Sequence, residues 1–186
     1  MKYPMSAKAL APMGYRELRS RGMAYRPREQ KLSKGDWNVF ISHATKDNHL
    51  ITGAVDLIKE SGGRAFIDVE NTEISALPEE NIANFLKLAI TVCTRLIVLH
   101  TPGIPDSVWV PWELALCDGK YEAESVAIFP VEENIEGPSF LSLYRQIGTG
   151  TIDGKEVLFV WSRKTKKAEP LSDWFKRESF ANFEQE

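Results

Sequence analysis

The chain reads as an α/β protein built on a five-stranded parallel sheet with helices on both faces. Three observations predict this. Five short apolar runs alternate with longer segments whose apolar residues recur at helical spacing. The runs are apolar without a break, as expected for strands covered on two sides rather than one. Turn and capping residues fall between the two kinds of segment, which is the pattern of strand–helix–strand units.

The elements follow in order. Trp37-Asn-Val-Phe-Ile-Ser42 is the first apolar run. Thr45 can cap a helix with apolar positions at Leu50/Ile51, Ala54/Val55 and Leu57/Ile58, and Gly62-Gly63 stops it. Arg64 to Asp68 is the second strand, followed by a long loop over Val69 to Leu77. Pro78-Glu79-Glu80 opens a second helix, with proline in the first turn and acids at its positive end. Arg95 to His100 is the third strand, and a Pro/Gly loop leads into a third helix that ends at Gly119. Val126 to Val131 is the fourth strand and Ser139 to Gln146 a short helix. Glu156 to Trp161 is the fifth strand, and Ser172 to Phe183 a final helix anchored by Trp174, Phe175 and Phe183. The succession suits the flavodoxin-like order 2-1-3-4-5, in which ligands sit beyond the carboxyl ends of the strands beside strands one and three.

Bulk properties narrow the function. The chain has 186 residues, 43% hydrophobic and 26% charged, which is ordinary for a globular domain with an appended segment. No run of about 18 apolar residues is present, so no transmembrane helix is expected. The N-terminus has no apolar leader, and Cys93 and Cys117 sit in apolar patterns as thiols. Together these predict a cytoplasmic protein. Charge is uneven: nine Lys/Arg against two acids give residues 1–35 a charge of +7, and the whole chain is −3, which leaves −10 for residues 36–186. The division predicted is therefore a basic extension, 1–35, and a domain, 36–186. The extension lacks dense basic runs, so docking on its own domain or on a partner copy is favoured over nucleic acid or an anionic membrane.

Asp106-Ser-Val-Trp-Val-Pro-Trp-Glu-Leu-Ala-Leu-Cys117 carries the sharpest chemical signal. Trp109 precedes Glu113 by four positions, and residues four apart share a helix face. Leu114, Ala115 and Leu116 surround the acid with apolar residues. This is the pattern of one carboxylate held in a partly dry pocket, where it can meet a positively charged group unscreened. Pro111 fits only a first turn, so a helix beginning at Pro111 would leave Trp109 in the loop. Ser42, His43 and Asp68 end the first two strands at the same predicted edge and are candidate ligand contacts. Backbone capping is the plain structural alternative for each. Gly148-Thr-Gly-Thr lacks the lysine and spacing of a phosphate loop, and His49 and His100 have no metal-ligand cluster around them.

Asn38-Val-Phe-Ile-Ser-His-Ala44, Phe66-Ile-Asp-Val-Glu70, Ala89-Ile90, Leu96-Ile-Val-Leu99 and Ser107-Val-Trp-Val-Pro-Trp-Glu-Leu114 occur in this order over roughly residues 36–165. In this arrangement they resemble a TIR (Toll/interleukin-1 receptor) domain. The resemblance implies a five-stranded parallel sheet, self-association through the loop after strand two, and cleavage of NAD+ at the nicotinamide–ribose bond. Glu113 stands where catalytic members carry their essential glutamate. The chain is most similar in kind to the stand-alone bacterial TIR enzymes of Thoeris-like antiviral systems, which make ADP-ribose or a cyclic ADP-ribose isomer as a signal for a separate effector. NAD+ enters that reading as substrate; no cofactor and no metal are implied.

The chemistry is consistent with a single carboxylate. Glycosidases commonly use two, because their leaving group must be protonated. Nicotinamide departs neutral, so one carboxylate that stabilises the ribosyl cation suffices. Two rivals stay open from the sequence. One is a non-catalytic TIR scaffold that mediates assembly; the other is a nucleoside-processing enzyme with its own carboxylate.

Overall fold

A computed structural model describes residues 38–67, 78–131 and 139–177. Among the described residues, seven strands form one sheet in the order β2-β1-β3-β4-β5-β6-β7. The strands are β1 (Val39–Ser42), β2 (Ala65–Ile67), β3 (Arg95–His100), β4 (Val126–Pro130), β5 (Arg145–Ile152), β6 (Lys155–Trp161) and β7 (Ala168–Pro170). The first five are parallel and run in the order 2-1-3-4-5. β6 and β7 extend the sheet antiparallel beyond β5.

Two assignments made from the sequence are corrected here. Glu156 to Trp161 is the sixth strand and antiparallel, not the fifth. The fifth is Arg145–Ile152, and only Ser139–Leu143 is helical in the preceding segment, as a 3-10 helix. The physical reason is visible at Gly150. A side chain there would meet the Phe159 ring of β6 at 2.6 Å, so the aromatic ring of one strand occupies the space that glycine leaves on the other. β5 carries β-branched residues at Ile147, Thr149, Thr151 and Ile152, but Gly148 and Gly150 interrupt it, so no continuous apolar run marks it in the sequence.

Four α-helices cover the sheet: α1 (Asn48–Glu60), α2 (Glu79–Val92), α3 (Trp109–Tyr121) and α4 (Leu171–Lys176). Strand residues alternate between two cores. Val39, Ile41, Ile97, Leu99, Ala127 and Phe129 pack with α1 and α4. Phe40, Leu96, Val98, Val126 and Ile128 pack with α2 and α3. All four residues of β1 and all six of β3 are buried, as two-sided coverage requires. The helix expected to begin at Thr45 begins at Asn48, after a 3-10 turn over Thr45–Asp47. α4 is shorter than expected, and Phe183 lies outside the described residues. Cys93 and Cys117 are buried free thiols, and burial pushes both up to about 12. No described helix is long and apolar enough to cross a membrane.

Arg95 joins the two ends of this arrangement. Its guanidinium donates to the carbonyl oxygens of Trp174 and Arg177, closing the C-terminal end of α4, and it lies 5.3 Å from the Trp174 ring centroid. Trp174 in turn donates its indole N–H to the Glu124 carbonyl at 3.1 Å. A lysine has no planar fork with which to reach both carbonyls. Arg95→Lys is expected to cost about 1–3 kcal/mol, read as a lowered midpoint in urea unfolding with an unchanged slope.

Candidate functional site

Strand alternation decides where the site forms. Phe40 points toward α2 and α3, Ile41 toward the opposite face, and Ser42 toward α3 again. α3 starts at Trp109, which places Pro111 in the first turn and keeps both Trp109 and Glu113 helical. Val110, Leu114, Cys117 and Tyr121 form the stripe of α3 that meets the sheet. Glu113 lies beside that stripe and is only 3% exposed.

At this junction the Ser42 hydroxyl donates to Glu113 Oε2, joining residues 71 apart in sequence. A buried carboxylate without hydrogen bonds costs several kcal/mol, so this contact is what makes the position tolerable. The site is at the C-terminal end of β1, next to β3, with Ser42 in register with Val98. That is the switch point where an open α/β sheet accepts ligands.

The other candidate residues distribute unevenly. His43 follows β1 directly and is half-buried. Trp109 is half-buried at the start of α3 and meets Trp112 edge to face, with ring centroids 5.6 Å apart. The two indoles form an aromatic wall at the helix start, four and one positions before Glu113. Asp68 lies outside the described residues, as do the loop 69–77 and residues 1–35.

A second polar group, unforeseen from sequence, braces the same edge. Asp47 is 8% exposed and accepts a hydrogen bond from the Thr101 hydroxyl. Thr101 Oγ1 accepts the Gly103 N–H at 3.1 Å. At the surface Lys46 pairs with Asp106. Together these tie the turn after β1 to the loop after β3, the loop that delivers α3. The signal available in the sequence was an acid two residues past a predicted cap and a Thr-Pro-Gly turn after a strand. Neither names its partner, which is 54 residues away. His100 also lies at this edge, on the α3 face of β3 by alternation. Burial lowers its pKa, and its Nε2 has no hydrogen-bond partner among the described residues.

Gly103 is glycine because the brace leaves no room. A Cβ there would lie 2.2 Å from Asp47 Oδ2, an oxygen that Thr101 holds in place. Gly103→Ala is expected to cost about 1–3 kcal/mol, the usual range for overpacking. In an Asp47→Ala background the obstacle is gone and the same substitution should cost less. A double-mutant cycle measured by chemical unfolding checks this, with additive effects as the contrary result.

No family model matches the chain. A search of curated proteins finds similarity to "Probable 3' cyclic ADP-D-ribose synthase ThsB'" of Bacillus cereus (strain MSX-D12), 26% identical over 138 residues and covering 70% of each chain. At that distance this protein is a remote relative of a cyclic ADP-ribose synthase, and the likeness agrees with the TIR resemblance carried by its sequence blocks.

Proposed function

We propose that this chain cleaves NAD+ at the nicotinamide–ribose bond, with Glu113 as the catalytic carboxylate. The observation that carries the reading is the buried Ser42–Glu113 pair at the C-terminal end of β1. As the bond breaks, its electron pair goes to the pyridinium nitrogen and nicotinamide leaves neutral. Positive charge then develops on the ribose. A carboxylate already stripped of water and held by a hydroxyl stabilises that charge with little reorganisation, which is the condition for effective electrostatic catalysis. Ser42 acts by holding the carboxylate in place. Trp109, His43 and Asp68 complete the proposed pocket, with the indole as a wall.

The nucleophile that captures the ribosyl cation sets the product. Water gives ADP-ribose, and a nucleophile of the same molecule gives a cyclic isomer. Similarity to a protein named as a 3' cyclic ADP-D-ribose synthase favours the cyclic outcome. In this reading the product is an antiviral signal for a separate effector, and self-association through residues 69–77 governs access to the site.

Incubating the purified chain with NAD+ and resolving released nucleotides by mass spectrometry tests the proposal. Nicotinamide should appear in step with a product of ADP-ribose composition. Glu113→Gln keeps shape and hydrogen-bonding capacity but removes the charge, and should lower turnover about 100-fold or more. Ser42→Ala removes the hydroxyl that donates to the carboxylate and should lower it about 10-fold or more. A folded protein that releases no nicotinamide at any concentration, including concentrations at which it assembles, would identify a non-catalytic scaffold instead.

A further inference from the structure

On the sheet face opposite the Ser42–Glu113 pair, α1, α4 and the β5–β6 hairpin enclose a groove of about 610 Å³. Its floor is apolar and includes Leu57, Ile152 and Leu158. Ile152 remains 41% exposed, large for an isoleucine in a cleft. The rim carries Glu60, Glu156 and Asp173, and among the described residues no lysine or arginine lines it. Asp173 is paired with Lys176 at 3.1 Å, an exposed contact on its own helix. An apolar floor under a negative rim fits a segment that is basic and carries apolar side chains. The size is that of pockets that accept a few side chains, about 300–1,000 Å³.

The chain itself supplies such a segment. Residues 1–35 carry +7 on a chain whose remainder carries −10. Within them Leu18, Met23 and Tyr25 are spaced among Arg16, Arg19, Arg21, Arg26 and Arg28. The attachment point is close to the groove wall. Asn38 donates its N–H to the Arg64 carbonyl at 3.1 Å and accepts the Arg64 N–H on its side chain at 2.7 Å. Arg64 is three residues from Ser61, which lines the groove at the end of α1. At up to about 3.3 Å per residue the tether is long enough several times over. Joined to the groove by so short a path, the segment is present at high effective concentration.

We propose that residues 1–35 dock in this groove of their own chain, their arginines against Glu60 and Glu156 and their apolar side chains on the Leu57–Ile152–Leu158 floor. The proposal does not rest on the NAD+ reading, since the groove and the Ser42–Glu113 pair lie on opposite faces of the sheet.

The test uses the full chain. Zero-length carbodiimide cross-linking should join Lys2, Lys8, Lys31 or Lys34 to Glu60, Glu156 or Asp173. In a mixture of unlabelled and nitrogen-15-labelled protein, those links should stay within one isotopic chain. Trypsin cleavage after Arg19 and Arg21 should be about fivefold faster in the Glu60→Gln/Glu156→Gln double variant than in the unaltered chain, and salt should narrow the difference. Thermal unfolding of the double variant verifies its fold, and the cross-linking of the unaltered chain needs no variant at all. Equal cleavage rates together with the absence of links to those three acids would overturn the proposal, and so would links found only between isotopically distinct chains. Glu113→Gln should leave both readouts unchanged, which separates this proposal from the catalytic one.

Discussion

The fold is organised around one costly act, the burial of the Glu113 carboxylate. A solvated glutamate on a surface helix asks nothing of its surroundings, but one that is 3% exposed demands a donor. Ser42 is that donor, and it can reach only if the last residue of β1 faces α3 at a fixed depth. That depth is set by strand pairing, since Ser42 sits opposite Val98 on β3. It is set again by the stripe of Val110, Leu114 and Cys117, which seats α3 against the sheet. A slip of one residue in β1 would turn Ser42 to the wrong face and strand the charge. The hydrogen bond is therefore a reporter of register as well as a chemical feature.

The brace of Asp47, Thr101 and Gly103 answers a related problem. The elements that contribute Ser42 and Glu113 each pass through a loop at the C-terminal edge, where strand pairing no longer holds them. A second buried carboxylate–hydroxyl contact joins those loops. Two such contacts at one edge give the site walls fixed by polar geometry rather than by apolar packing, which tolerates sliding. The aromatic pair Trp109–Trp112 adds rigidity from the helix side. Groups held this way are in position before a ligand arrives, which is what electrostatic stabilisation of a transient cation requires.

How much of this was legible in the sequence follows from the range of each interaction. Alternating apolar runs and helical stripes are local, and they marked the first four strands and the apolar faces of α1, α2 and α3. The four-residue spacing of Trp109 and Glu113 is also local, and the helix does begin early enough to contain both. β5 was misread because Gly148 and Gly150 break up its β-branched residues, leaving no continuous apolar run, and the Phe159 ring that covers Gly150 comes from β6. Asp47 and Thr101 were missed for a similar reason. A carboxylate and a hydroxyl 54 residues apart leave no periodic trace, and each alone reads as a cap or a turn.

The antiparallel extension gives the domain an asymmetry that bears on both proposals. A parallel sheet ending at β5 would expose an edge whose amide and carbonyl groups invite pairing with another chain. β6 and β7 cover that edge, and β7 is only three residues long, which blunts the new one. The same hairpin carries Ile152, Glu156 and Leu158 over the α1–α4 face and builds the outer wall of the groove. One addition to the sheet thus closes an edge and opens a cleft, while the α2–α3 face that holds Glu113 keeps its own surface. Under the two proposals the ligands, a peptide segment and a nucleotide, therefore sit on opposite faces of the sheet. Any influence of one on the other must then pass through the shared strands, above all β3. Arg95 anchors α4 at one end of that strand, and His100 and Thr101 meet the site's edge at the other.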